Sequence, residues 1–138
     1  MLPDDRATKD LERFFSNDVY ATQVTKCRIV EGWKGHGVAE LDIEDMHRNA
    51  LGAVMGGVIF TLADFAFAIA SNAEQDPTVN LTTTIDYLSP SKGSKLTAVA
   101  ESAKDGRRIA FYDVKVTDDE GVLIAKMSVT GYRHTQAR

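Results

Sequence analysis

The stretch from Met55 to Ala73, MGGVIFTLADFAFAIASNA, decides the fold of this chain. From Val58 to Ala70 every residue is apolar except Thr61 and Asp64, so a helix formed here is apolar on nearly its whole circumference. Such a helix belongs in a protein interior. It is too short and too interrupted to cross a bilayer, which takes about 20 mostly apolar residues. The stretch therefore predicts a central helix wrapped by the other elements.

Asp64 places a carboxylate in the middle of this apolar helix. An unpaired buried charge is strongly unfavourable or shifts its pKa, and such groups are concentrated at functional sites. One interpretation is a structural acid that shares a polar seam with Thr61 and has a hidden hydrogen bond or a cation as its partner. The other is a catalytic acid, and the start of the helix favours it.

Gly56 and Gly57 at that start leave backbone N–H groups that no side chain screens, where the helix dipole adds partial positive charge. This arrangement binds oxyanions. Asp64 lies about two turns further along the helix, roughly 10–12 Å away at 1.5 Å per residue. One subunit cannot easily bring the carboxylate and the amides to one small carbonyl, whereas two subunits with antiparallel helices can.

The residues around this helix carry a family pattern. It consists of His47-Arg48-Asn49, Gly52, Met55-Gly56-Gly57, Phe60, Leu62-Ala63-Asp64, Ala66, Ala70 and Asn72. This pattern resembles that of the hotdog-fold acyl-CoA thioesterases of the phenylacetic-acid-degradation type, the PaaI-like family, in which Asn and five residues precede His-Gly-Gly and then Leu-Ala-Asp. The match is dense from Asn49 to Asn72 and extends weakly to the C-terminus. It departs from the family at Met55, where the family usually has His.

The resemblance implies an α+β hotdog fold, a curved antiparallel β-sheet around a long central helix, as a single domain over residues 1–138. It implies hydrolysis of an acyl-CoA thioester, with the Gly56 and Gly57 amides as the oxyanion hole. Asp64 would be the general base or the nucleophile, and the sequence does not choose between them. Asn49 would orient the attacking water or the thioester carbonyl.

Five further residues are candidates for substrate binding. By resemblance, Asn80 and Thr82 fall where related enzymes place a polar strand residue facing the site, and Met55 stands beside the glycines. Arg107 and Arg108, at the head of a strand next to a glycine turn, suit the phosphates of coenzyme A. No metal or cofactor is expected, because coenzyme A is part of the substrate.

The remaining sequence predicts a helix and strands that surround the central stretch. The expected order is a helix over 4–15, strands over 22–30 and 38–43 joined by a turn over 32–37, the central helix, and strands over 79–88, 96–103, 108–117 and 122–132. The last three strands read as an antiparallel meander. His36, in the glycine-rich turn, is expected to be solvated, and His47 is interpreted as a loop residue.

Composition limits the partners and the cellular location. The chain has 138 residues and a net charge of −4 with no basic run, which argues against nucleic acid as a main partner. The only cysteine, Cys27, excludes an intrachain disulfide and is interpreted as a small buried side chain. The acidic, polar opening from Met1 to Asp5 does not resemble a secretory signal. We therefore expect a cytoplasmic protein without a membrane partner.

The proposed partners are an acyl-CoA substrate and a second copy of the chain, in a homodimer that pairs into a homotetramer. Two other functions stay open at this point. A hotdog hydratase would need an Asp/His pair across the substrate double bond, and no His lies on the central helix or beside Asp64 in sequence. A non-catalytic acyl-CoA-binding protein is favoured by Met55 in place of the family His. The acyl group that the site accepts is not determined.

Overall fold

Two helices and one antiparallel sheet make up the fold in a computed structural model, which describes residues 5–134. The helices are α1 (Asp5–Phe15) and α2 (Gly56–Asn72). The strands are β1 (Arg28–Trp33), β2 (His36–Asp42), β3 (Thr78–Tyr87), β4 (Lys95–Asp105), β5 (Ile109–Asp118) and β6 (Leu123–Arg133). Residues 1–4 lie outside the described residues. They include the first residue of the helix predicted over 4–15 and most of the stretch from Met1 to Asp5 that does not resemble a secretory signal.

The sheet has six strands in the order β1-β2-β4-β5-β6-β3, with every pair antiparallel. β4, β5 and β6 form the predicted meander, and β3 and β1 are the two edges. Helix α2 lies against the concave side and contacts all six strands. None of the described helices combines the length and apolar character needed to cross a membrane. The predicted α+β class is confirmed, with the sheet wrapped around the predicted helix.

Close approach of α2 to the β1–β2 hairpin depends on two glycines. Gly32 and Gly37 pair across the hairpin, and the turn itself is shorter than predicted, with Gly35 at φ +83°. A Cβ added to Gly37 would lie 2.5 Å from the backbone oxygen of Ala66. One added to Gly32 would lie 2.3 Å from Cγ2 of Ile69. Both glycines therefore serve the packing of helix on sheet rather than the turn.

The strand predicted over 22–30 begins only at Arg28. Tyr20–Val24 form one turn of π-helix, which the amide of Thr25 closes by donating to the Tyr20 carbonyl at 2.9 Å. Lys26 then takes a positive φ of 66°, which breaks the chain direction before the strand. The β-branched residues of this segment favour a strand, but local hydrogen bonds override that preference.

The structure shows the surroundings of Cys27, which precedes β1, and of His36, the first residue of β2. Cys27 is buried, and burial raises the pKa of its thiol to about 12, as expected of a packing residue. The expectation that His36 is solvated is wrong. Its ring nitrogens lie 2.6 Å from Glu101 Oε1 and 2.8 Å from Glu31 Oε2, and its ring stacks on Trp33. These contacts tie β1, β2 and β4 together at one end of the sheet.

Candidate active site

One face of α2 is not covered by the sheet. We call it the open face, and it consists of Gly57, Phe60, Thr61, Asp64 and Ala68, which are exposed or half-buried while most of the helix is buried. A cleft of about 440 Å³ lies over this face. Residues 18–21, at the start of the π-helical turn, form its opposite wall. The sheet therefore wraps the helix incompletely and leaves its most polar face accessible.

Asp64 points into this cleft and is half-buried. Burial raises the pKa of its carboxyl group, and the nearby charge of Asp18 raises it further. Asn80 acts in the opposite direction, since its Nδ2 donates to Asp64 Oδ1 at 3.4 Å. Within residues 8–134, no cation lies within ion-pair distance of Asp64. The structural interpretation with a cation partner therefore finds no support in the described part of the chain.

The N-terminus of α2 presents two backbone N–H groups. Met55 is the N-cap, and its carbonyl accepts the amides of Val58 at 3.0 Å and Ile59 at 3.3 Å. The amides of Gly56 and Gly57 donate to no acceptor among the described residues. A Cβ added to Gly57 would meet nothing within 4 Å. This position is therefore open to a ligand or a second chain, as an oxyanion hole requires.

Met55 borders a smaller cavity beside the glycines. Its side chain is exposed, and the cavity measures about 200 Å³. The other lining side chains include the apolar Val24, Met46 and Val58. The predicted position of Met55 next to the candidate oxyanion hole is therefore consistent with the structure, and its role in substrate binding stays a prediction.

Asn49 and His47 lie in the loop before α2. The Oδ1 of Asn49 accepts from the amides of Leu51 at 2.9 Å and Ala53 at 3.1 Å, so the side-chain oxygen stabilises its own loop. His47 is buried, and its ring bonds to backbone atoms of Glu44 and Thr25. His47 is therefore a structural residue, as interpreted, but it ends a short 3-10 helix (Asp45–His47) rather than lying in an irregular loop. The catalytic role of Asn49 stays a prediction.

A bulge in β3 decides which polar residues face α2. The register shifts between Asn80 and Thr82, so Thr83 stands opposite Val129, which is buried in the core. Thr83 Oγ1 accepts a hydrogen bond from Asn80 Nδ2, whereas Thr82 stands opposite Thr130 on the other face of the strand. The prediction that Thr82 faces the site is wrong within the protomer. The prediction assumed that side chains two residues apart face the same side of a strand, and the extra residue of the bulge reverses this between Asn80 and Thr82.

Arg107 and Arg108 are exposed in the turn between β4 and β5. Neither lines the cleft over the open face. The register places Ala110 opposite Gly131, which in turn stands opposite Asn80. The two arginines therefore lie at the Asn80 end of the sheet, two strands or roughly 10 Å across from it. Their role in phosphate binding stays a prediction.

Three residues near the site were missed by the sequence reasoning: Asp18, Thr83 and Tyr87. Asp18 lines the cleft, and Tyr87 donates its hydroxyl hydrogen to the Gly56 carbonyl at 3.0 Å. Asp18 and Tyr87 are far in sequence from the helix residues that they approach, and Thr83 faces the helix only because of the bulge. Only the pairing of β3 with β6 and the position of the π-helical turn bring them to the helix.

Comparison with known proteins identifies the family. The family model of the thioesterase superfamily matches residues 51–125, which is more than half of the chain. The chain belongs to the thioesterase superfamily. Acyl-coenzyme A thioesterase 13 of Homo sapiens is 32% identical over 105 residues, which are 73% of this chain and 75% of that protein. The acyl-coenzyme A thioesterase PaaI of Escherichia coli is 28% identical over 121 residues, 87% of this chain and 86% of PaaI.

Solved structures of thioesterases give the fold. The structure of the E. coli PaaI protein superposes with a TM-score of 0.87 at 25% identity, over 95% of each chain. A hypothetical thioesterase of Streptococcus pneumoniae, solved with coenzyme A, superposes with a TM-score of 0.81 at 26% identity, over 92% of this chain and 99% of that one. The predicted hotdog fold, PaaI-like family and thioesterase class are confirmed.

Proposed function

We propose that this thioesterase hydrolyses an acyl-CoA thioester to free coenzyme A and a carboxylic acid at the open face of α2. One observation carries the proposal. Asp64 is a half-buried carboxylate that faces a cleft of about 440 Å³, on the same helix face as Gly57. Two observations support the substrate class: the human and E. coli relatives are named acyl-coenzyme A thioesterases, and the S. pneumoniae structure contains coenzyme A.

The complete site would need two copies of the chain. Asp64 and Gly57 share one face of α2 but lie roughly 10 Å apart along it, too far to act on one carbonyl. Two open faces packed antiparallel would bring Asp64 of one protomer to the glycines of its partner, twice. The edge strand β3 supports this arrangement, because Val79 and Leu81 are exposed on it and its outer edge has no strand partner among the described residues.

In this dimer the carbonyl oxygen of the thioester would accept hydrogen bonds from the amides of Gly56 and Gly57. Each donor to a developing oxyanion is worth about 3–4 kcal/mol of barrier. Asp64 would take a proton from a water whose oxygen attacks the carbonyl carbon. The C–S bond then breaks, and the departing thiolate takes up the proton. The raised pKa of Asp64 suits a general base, since a base is most effective when its pKa is near the working pH.

A second route differs only in the nucleophile. The Asp64 carboxylate would attack the carbonyl carbon itself and expel the thiolate, which leaves a mixed anhydride that water then hydrolyses. One turnover in heavy-oxygen water separates the routes. Label in the Asp64 side chain supports direct attack, and label in the product acid alone supports the general base.

Other residues would complete substrate binding. Asn80 would hold the Asp64 carboxylate, Asn49 would orient the water, and Met55 would line the acyl end. Arg107 and Arg108 would bind the phosphates of coenzyme A from the Asn80 end of the sheet. A dimer of such dimers is the proposed tetramer. The cytoplasmic location expected from the sequence stays a prediction.

A panel of aryl, short-chain and medium-chain acyl-CoAs with a thiol reagent tests the proposal. Release of free coenzyme A supports it. Saturable binding without release would replace it with a binding protein, for which Met55 in place of the family His is the favouring observation. A change in enoyl absorbance would instead indicate a hydratase. The exposed Asp113→Asn variant on β5 is the control for loss of a carboxylate away from the site.

A further inference from the structure

Tyr87, the last residue of β3, contacts the first residue of α2. Its hydroxyl donates to the Gly56 carbonyl at 3.0 Å. Its ring also lies over this residue, since a Cβ added to Gly56 would come within 3.2 Å of the Tyr87 Cζ atom. A methyl group at Gly56 would therefore press on the Tyr87 ring, whereas one at Gly57 would face open space.

The hydrogen bond acts on the peptide group that carries the Gly57 amide. The carbonyl of Gly56 and the N–H of Gly57 belong to one planar, conjugated unit. A donor at the carbonyl oxygen draws electron density from the nitrogen, and hydrogen bonds arranged in series strengthen one another by about 10–30% each. The same bond fixes the plane of the unit, and with it the direction in which the N–H points.

The contact does not belong to the hydrophobic core. Tyr87 is 52% exposed, and the cleft of about 280 Å³ beside it is also lined by Leu88 and Pro90. A half-exposed ring contributes little to packing compared with a buried aromatic side chain. What distinguishes this tyrosine is the hydroxyl, which reaches the helix end where the Gly56 and Gly57 amides have no acceptor among the described residues.

We propose that Tyr87 is a positioning residue of the oxyanion hole. It holds the Gly56–Gly57 peptide group in place and makes the Gly57 N–H a stronger donor to the developing oxyanion. Tyr87 itself does not touch the substrate. The inference rests on the proposed thioester hydrolysis, because only that reaction places an oxyanion at this helix end.

The test is Tyr87→Phe, which keeps the ring and removes only the hydroxyl. The control is Tyr132→Phe on β6, whose hydroxyl makes no hydrogen bond among the described residues. Loss of one supporting hydrogen bond should lower kcat by about three- to tenfold. KM should change less than twofold, because the bond matters only once charge develops. The Gly57 amide proton should shift upfield in the NMR spectrum, and the melting temperature should match that of the control.

Three results would overturn the inference. A Tyr87→Phe enzyme with unchanged kcat, or with a change confined to KM, shows that the hydroxyl does not assist the oxyanion hole. An unchanged Gly57 amide shift shows that the bond does not act on the peptide group. A wild-type protein that binds acyl-CoA without releasing coenzyme A ends the proposed function and this inference together. An active wild type with an unaffected variant ends this inference alone.

Discussion

Glycines on the two sides of α2 have opposite surroundings: Gly37 lies on β2, where the hairpin packs on the helix, and Gly57 lies on the open face of α2 itself. Toward the hairpin, Gly37 is crowded, and an added Cβ would lie 2.5 Å from the Ala66 carbonyl oxygen and 2.8 Å from the Ala70 amide. On the open face, Gly57 has nothing within 4 Å of the same position. The first glycine is required by the fold, and the second is not required by anything inside the protomer. A glycine that the fold does not need, on the same helix face as a carboxylate without an ion-pair partner, indicates a functional face.

Among the variants that test this comparison, Asp64→Asn is expected to show the largest effect, a loss of turnover. Removing a general base typically lowers turnover by about 10²- to 10⁴-fold. The variant should remain folded, because Asp64 has no ion-pair partner within residues 8–134. Steady-state kinetics with the best acyl-CoA of the panel measure the loss, with Asp113→Asn as the control. Full activity in Asp64→Asn would remove this residue from the mechanism.

Gly37→Ala should show that the hairpin face is structural. Its methyl group would clash with backbone atoms that cannot rotate away, and overpacking of this kind costs about 1–3 kcal/mol or more in the free energy of unfolding. Urea denaturation measures the loss.

Gly57→Ala is the matched variant on the open face. Alanine in a helix is favoured over glycine by up to about 1 kcal/mol, so its stability should be equal or higher. Its turnover should fall, because the methyl group enters the space proposed for the thioester. If Gly57→Ala also unfolds more easily, the distinction between the two faces fails.

The pH dependence of stability gives a smaller effect. Burial raises the pKa of Asp64 in the folded protein above its value in the unfolded chain. The unfavourable contribution of its charge is therefore absent below the unfolded pKa and complete above the folded pKa. Asp64→Asn should accordingly be more stable than wild type at neutral pH, and the difference should vanish in acid. Denaturation at several pH values checks this, and a difference that grows in acid would contradict it.

Asn80→Ala is expected to have the smallest effect. Its hydrogen bond to Asp64 favours the carboxylate, so its loss should raise the pKa of Asp64 further. The acid limb of the kcat/KM profile should then move to higher pH, with activity on that limb about two- to fivefold lower, as for loss of one modest hydrogen bond. Thr82→Ala is the control, because Thr82 lies on the other face of β3. A limb that moves to lower pH would show that Asn80 does not stabilise the carboxylate.

Prediction of structure from the sequence succeeded where a local pattern carries the information. The apolar run of α2 and the glycine-bounded strands after it are visible within short windows, because helix and strand periodicity is set by neighbouring residues. It failed at Thr82, since a single bulge residue reverses the faces of the strand beyond it. It also failed over 22–30, where hydrogen bonds within the segment overrode its β-branched composition.

The sequence by itself determined that an apolar helix carries a carboxylate and begins with two glycines, because side-chain chemistry along one helix is a local property. Only the tertiary structure decided which face of that helix stays uncovered and that Asp18, Thr83 and Tyr87 reach it. These contacts join residues from distant parts of the chain. They depend on the order and register of strands, which are set by the packing of the whole sheet.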